Sequence, residues 1–303
     1  MAHISEFFGH LATDKSEAAI RAAEDKHCPY LGETCVKRLS DGTISGACAL
    51  KPATSGPVIC CPIRLYADDY RIIRDVADRA FGPGMAFVPG PRARLESKKL
   101  GRPVVGVFGK RWGGELRLPQ RQGVGGYFVD WVLALVGPDA GLVEFVAIEV
   151  QTIDTTGNYR ASRLGLLEPS RRIVNSTAGL NWENVNKRII PQLIYKGQVL
   201  QREEGCKKGL FFVCPTPVYQ KVMTRLGGQA GLTTVHLQPA AITFLGYDYA
   251  VDAAAVQPGA SVPLALEVEH TTTVYKLQER FSNIELPEAN VYRNAIKIAL
   301  GEV

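Results

Sequence analysis

The sequence has no run of about 18 apolar residues, the length a membrane-spanning helix requires, so no membrane partner is expected. Its first residues, Met1-Ala2-His3-Ile4-Ser5-Glu6-Phe7-Phe8, lack the charged stretch followed by an apolar one that marks a secretory signal. The expectation is a cytoplasmic protein, in which disulfides between its seven cysteines are rare. No internal repeat or low-complexity tract is visible, which excludes collagen-like, coiled-coil and disordered classes. Neither sign of charge is in large excess: 35 Lys and Arg against 30 Asp and Glu leave +5. That is a weak lean towards a polyanionic partner. The five histidines are scattered, and no cysteine has an evident base partner, which argues against thiol catalysis. Gly123-x-Gly125-Gly126 precedes a strand pattern and not a helix, so it is no dinucleotide fingerprint.

What is present is a loop-rich mixture, with 30 Gly and 18 Pro, in keeping with an α/β or α+β protein. Apolar positions at helical spacing predict an opening helix over 5–25 and a second over 65–81, closed by Gly82-Pro83-Gly84. Residues 89–103 read as a basic loop. Strands are expected at 104–108, 127–136 and 142–151, the last two forming an antiparallel hairpin. A helix interrupted by Pro191 should cover 182–202, followed by a strand at 210–213 and a helix at 218–226. Strands near 242–247 and 264–274 and a final helix from Pro287 to Leu300 complete the chain. The expected division is an N-terminal part, residues 1–84, and a mixed α/β body, residues 85–303.

Five of the seven cysteines, Cys28, Cys35, Cys48, Cys60 and Cys61, crowd a Gly- and Pro-marked stretch without apolar periodicity. Four converging thiolates suit zinc or iron. Their spacing is not that of paired C-x-x-C motifs, and buried thiols are the plainer alternative. Cys206 and Cys214, beside a helix end and in an apolar strand, read as core thiols.

A second cluster is acidic. Asp130 falls on the first strand of the hairpin, and Glu149-Val150-Gln151 on the second. Alternation along a strand puts Glu149 and Gln151 on one face and Val150 in the core. Two neighbouring carboxylates repel unless a cation or a proton lies between them, and Mg²⁺ is the natural occupant. Asp248 and Glu267-Val268-Glu269 repeat the same spacing and alternation, so residue pattern alone leaves both sites open.

An Asp on one strand with Glu-x-polar on the next resembles the PD-(D/E)xK nucleases. More specifically, Cys28-Pro29, Cys35-Val36-Lys37-Arg38, Cys48, Ile59-Cys60-Cys61-Pro62-Ile63-Arg64 and Trp182-Glu183-Asn184-Val185-Asn186-Lys187-Arg188-Ile189-Ile190-Pro191-Gln192 are similar to segments of NotI-type restriction endonucleases. The resemblance implies a PD-(D/E)xK core with a mixed sheet, preceded by a small four-cysteine module around structural iron. It places the catalytic residues on Asp130, Glu149, Gln151 and Glu115, with Asp130 and Glu149 holding catalytic Mg²⁺. It places the iron (or zinc) ligands on Cys28, Cys35, Cys48 and Cys61, because the family's fourth cysteine directly precedes proline. It also favours Asp130 over Asp248.

The implied activity is that of a homodimeric type II restriction endonuclease cutting double-stranded DNA at a GC-rich palindrome containing GGCC. Gln151 lacks the charge of the usual lysine and can only orient water through its amide. Arg92, Arg94, Lys98, Lys99, Arg102, Lys110 and Arg111 on one side of the hairpin are candidate DNA contacts. Arg160, Arg163, Arg171 and Arg172 on the other side are a second such group. The competing class is a non-catalytic DNA-binding protein whose cysteine module is the reader.

Overall fold

The computed structural model describes residues 1–110, 112–114, 116, 128–139, 141–283 and 288–302. The chain opens with β1 (Ala2–Phe7), not with the expected helix. Its inward positions Ala2, Ile4 and Glu6 alternate as a strand requires, but the third is a charged residue, which hides the alternation from a hydrophobic reading. Phe8 and Gly9, both at positive φ, turn the chain into β2 (His10–Leu11). Helix remains only in α1 (Glu17–Glu24), where the Ser16 hydroxyl accepts from Ala19 N at 3.3 Å.

Two short ladders, β3 (His27–Cys28) with β4 (Glu33–Thr34) and β5 (Ala47–Pro52) with β6 (Val58–Ile59), carry the cysteine stretch. Strands β2, β1, β5 and β6, in that order, form a four-stranded N-terminal sheet. Next comes α2 (Ala67–Phe81), entered through three left-handed residues, Asp68, Asp69 and Tyr70. Its buried face, Ile72, Ile73, Val76, Ala77 and Ala80, packs on the main sheet. After β7 (Ala86–Pro89), the expected basic loop is in part α3 (Ala93–Leu100), which leads to β8 (Val104–Gly109).

The predicted hairpin forms from β9 (Trp131–Gly137) and β10 (Gly141–Val150), antiparallel with Ile148 opposite Trp131. Then β11 (Thr155–Thr156), α4 (Arg160–Leu167) and β12 (Gly179–Leu180) return to the N-terminal sheet. There Tyr159, Leu166 and Ala178 share a core with Ile4, Phe7, Leu50 and Cys35. A π-turn over Val185–Ile189 feeds α5 (Ile190–Leu200). Helical residues run from 183 to 200, and the change from the π-turn to α5 falls just before Pro191, the residue at which an interruption is expected.

The remainder is β13 (Leu210–Pro215), α6 (Thr216–Arg225), β14 (Ala241–Tyr249), β15 (Leu264–Thr273), α7 (Val274–Ser282) and α8 (Val291–Leu300). Helix α7 is absent from the sequence reading because the β-branched run Thr271-Thr272-Thr273-Val274 hides its cap, the Thr273 hydroxyl accepting from Lys276 N. The expected start of the last helix, Pro287, lies outside the described residues.

The main sheet is mixed, with strand order β15-β14-β13-β10-β9-β8-β7. Pairs β7·β8, β10·β13 and β13·β14 are parallel and the other three antiparallel. Trp131, Leu133, Val146, Ile148 and Val150 face α2, while Ala147, Phe212 and Phe244 face α5 and α6. The mixed α/β expectation therefore holds. No helix among the described residues is long and apolar enough to cross a membrane.

A buried ion pair joins the two sheets. Arg64 Nε lies 2.7 Å from Glu6 Oε1, and both side chains are 0% exposed. Tyr30 and Tyr249 donate to the two Glu6 oxygens at 2.6 Å each, and Arg64 also donates to Val262 O. Removing one member leaves an uncompensated buried charge. Arg64→Met is expected to destabilise the protein by about 3–5 kcal/mol. The readout is a lower urea midpoint at an unchanged slope, and an unmoved midpoint would refute the assignment.

Candidate active site

The acidic cluster sits where the two central strands end. Asp130 directly precedes β9, Glu149 is the penultimate residue of β10, and Gln151 follows β10. The hairpin register brings the ends level, and Val150 N donates to Asp130 Oδ2 at 2.8 Å. Because β10 is flanked by β9 and β13, Glu149 is buried between neighbours, at 7% exposure, while Asp130 keeps contact with solvent. Asp130 and Glu149 are thus brought together, on the sheet face covered by α5. Val150 points into the opposite core, as expected.

From α5, Lys196 reaches this face, its Nζ 2.6 Å from Glu149 Oε1. Sequence reasoning missed this residue, and no motif or spacing links position 196 to position 149. Glu149 Oε2 is buried without a hydrogen-bond partner. Burial, then the neighbouring Asp130 charge, raises the Glu149 pKa, and Lys196 opposes both. The Asp130 pKa is also raised by the protein around it, against the Val150 N–H bond and the Lys196 charge.

Gln151 is less free than its position suggests. Its backbone N donates to Val213 O at 3.0 Å, and its Nε2 to Thr152 O at 3.3 Å. Glu115 and Arg111 lie outside the described residues, as does the Gly123-x-Gly125-Gly126 stretch. Below the acids, Trp131 Nε1 donates to the Tyr66 hydroxyl at 3.1 Å, and the ring of Tyr70 packs 5.5 Å from that of Trp131. Gly109 permits this packing, since a Cβ there would lie 2.0 Å from the Trp131 ring. Beside Lys196 an apolar cleft of about 790 Å³ opens between β9, β10 and α5, lined by Val132, Ala134, Phe145 and Val199.

The rival acids occupy a different setting. Glu267 and Glu269 are exposed on β15, an edge strand. Glu269 is paired with Arg79 at 2.9 Å, and Asp248 accepts from Tyr249 N.

The structure corrects part of the basic-residue reading. Arg163 and Arg171 are buried, donating to Ile44 O and to Ala19 O and Leu11 O. Arg160 pairs with Asp41 at 2.8 Å, and Arg172 makes a two-pronged pair with Glu168. Arg163 and Arg171 thus tie segments of the N-terminal layer together, whereas Arg160 and Arg172 remain exposed. Arg94, Lys98, Lys99 and Arg102 are exposed on and after α3.

No disulfide links any of the seven cysteines, and all are buried. Cys28, Cys35, Cys48 and Cys61 line one cavity of about 10 Å³; Cys60 is outside it, 3.5 Å from Lys37 Nζ. Burial pushes the Cys61 thiol up to about 11, against the nearby Lys37 charge. No group of three or more His, Cys, Asp or Glu side chains among the described residues is gathered so that it could hold a metal ion as it stands.

Compared with known families, residues 11–253 match the family described as restriction endonuclease NotI. No curated protein matches the chain.

Support for the acidic strand ends from below is measurable. Tyr66→Phe leaves the Trp131 indole N–H buried without an acceptor, at an expected cost of about 1–3 kcal/mol. Denaturant unfolding checks this; a stability equal to that of the unaltered chain would mean that the bond contributes nothing.

Proposed function

The chain belongs to the NotI restriction endonuclease family, and on that premise we propose that Asp130 and Glu149 bind Mg²⁺ and direct cutting at a GC-rich palindrome. As a member, it is a type II site-specific deoxyribonuclease acting on double-stranded DNA. The observation that carries the site assignment is Glu149 Oε2, a buried oxygen without a partner beside a second carboxyl group. Such an oxygen is costly unless something positive satisfies it. Mg²⁺ suits the position, since it takes one or two carboxylates and leaves its other places to water and phosphate. Acids at the centre of a mixed sheet, across an antiparallel pair, are in keeping with a PD-(D/E)xK core.

Bound there, Mg²⁺ would supply a Lewis acid that polarises the phosphodiester and makes a water more acidic. The protein's own groups do the rest. Val150 N–H orients the Asp130 carboxyl. Gln151, once it releases Thr152 O, orients the attacking water through its amide, and Glu115 is a further active-site acid. The exposed cations of α3 contact phosphates, and arginines read guanine at O6 and N7 in a site containing GGCC. A palindrome calls for a twofold homodimer, with one site per strand. The cytoplasm, where the DNA is, is the proposed location.

We further propose that Cys28, Cys35, Cys48 and Cys61 hold a structural iron or zinc ion. Four thiols around a cavity of single-ion size are the donor set a soft metal prefers, and they leave no open position for catalysis.

Plasmid DNA incubated with the protein and Mg²⁺ should give discrete fragments with common GC-rich ends, and none with EDTA. Asp130→Ala and Glu149→Ala should each slow cutting by at least about 1,000-fold while gel-shift affinity for DNA in Ca²⁺ is kept. Either variant cutting at the unaltered rate would remove that residue from the site. Elemental analysis should find iron or zinc lost from Cys61→Ser and kept in Cys60→Ser; the reverse pattern would exchange the two assignments.

A further inference from the structure

The geometry points to Lys196 as the cationic catalytic residue of this site, facing the phosphodiester from helix α5 where the strand residue, Gln151, is neutral. This rests on the reading of Asp130 and Glu149 as the cleavage site. Hydrolysis puts a water oxygen on phosphorus and breaks one bridging P–O bond. The electron pair leaves with the departing oxygen, which takes up a proton, and the water's proton passes to solvent. Negative charge accumulates on the phosphoryl oxygens between those events, and a fixed positive charge nearby lowers that barrier.

Gln151 cannot supply the charge, and its Nε2 is held by Thr152 O. Lys196 can. Its Nζ is 2.6 Å from Glu149 Oε1, two residues along the chain from Gln151. Its side chain is 17% exposed, so the charge acts with little screening by water, yet it lines the open cleft beside the acids. It engages one Glu149 oxygen and leaves the other without a partner. Of the other cations nearby, Arg188 pairs with Asp154 and Lys187 with Glu183, and Arg202 lines the same cleft, but it is Lys196 whose ammonium group contacts the acid pair. Among the described residues, Lys196 is the cation brought to the acid pair.

The plainer role, a structural counter-charge for Glu149, makes different predictions. Lys196→Gln keeps a hydrogen-bond donor for Glu149 but removes the charge. Single-turnover cleavage with Mg²⁺ and saturating protein should fall by about 100-fold or more, while the affinity for DNA in Ca²⁺ changes by less than about threefold. Retained DNA affinity also shows that the variant folds. Combining Lys196→Gln with Gln151→Lys returns a charge to the same face from the strand, and cleavage should recover at least tenfold.

A Lys196→Gln protein that binds DNA and cuts within threefold of the unaltered rate overturns the proposal, as does a double variant with no recovery. Asp130→Asn in parallel separates the two readings. If it is inactive while Lys196→Gln is fully active, the lysine assignment alone falls. If it too is fully active, the site itself lies elsewhere.

Discussion

The buried pair of Glu6 and Arg64 is the constraint on which the arrangement of the two sheets depends. Two opposite charges without solvent must compensate one another, and here Glu6 has a partner at each oxygen while Arg64 Nη1 is buried without a hydrogen bond. Here the partners come from four separate places: β1, the cysteine stretch at Tyr30, the turn before α2, and the end of β14 at Tyr249. The Arg64 guanidinium also lies 4.7 Å from the Tyr30 ring centre and 5.6 Å from that of Tyr249. Displacing the N-terminal layer would expose this pair to unequal solvation. The layer is therefore seated on the main sheet by electrostatics as much as by apolar area.

The segment from Cys60 to Tyr66 then ties three functions to one rigid turn. Cys61 lines the cysteine cavity, Arg64 holds the interlayer pair, and Tyr66 accepts from Trp131 directly beneath the acidic strand ends. Pro62, in the first turn of the short helix at Pro62–Tyr66, fixes its entry. A change in the cysteine stretch thus has a short path to the face of Asp130 and Glu149, through packed side chains rather than along the outside of the molecule.

Not every cation of the chain is at the surface. Two arginines that the sequence offered as DNA contacts, Arg163 and Arg171, are consumed internally, and Arg64 is buried as well. Their guanidinium groups bond to backbone carbonyls, of Val262, Ile44, Ala19 and Leu11. The net charge of +5 therefore understates how unevenly cations available to a polyanion are distributed. They concentrate on α3, whose outward face carries Arg94, Lys98 and Lys99.

What could be read from the residues alone was largely local. The hairpin of β9 and β10 was legible because β-branched and aromatic residues flank a tight turn, and α2 because its apolar positions recur at helical spacing. The likeness to a restriction-endonuclease family rested on short motifs and was also visible there. The opening strand was not, because its buried Glu6 breaks the apolar alternation, nor was α7, whose cap lies in a β-branched run. Tertiary structure alone put Asp130 and Glu149 at the centre of the sheet and Glu267 and Glu269 on its edge, since the two pairs have the same spacing and only strand order separates centre from edge. It alone brought Lys196 to Glu149, and it alone turned Arg163 and Arg171 inward. Periodicity and motif report on neighbours along the chain. Pairing between distant charges depends on which helix covers which face of the sheet, and that is set by the packing of the whole core.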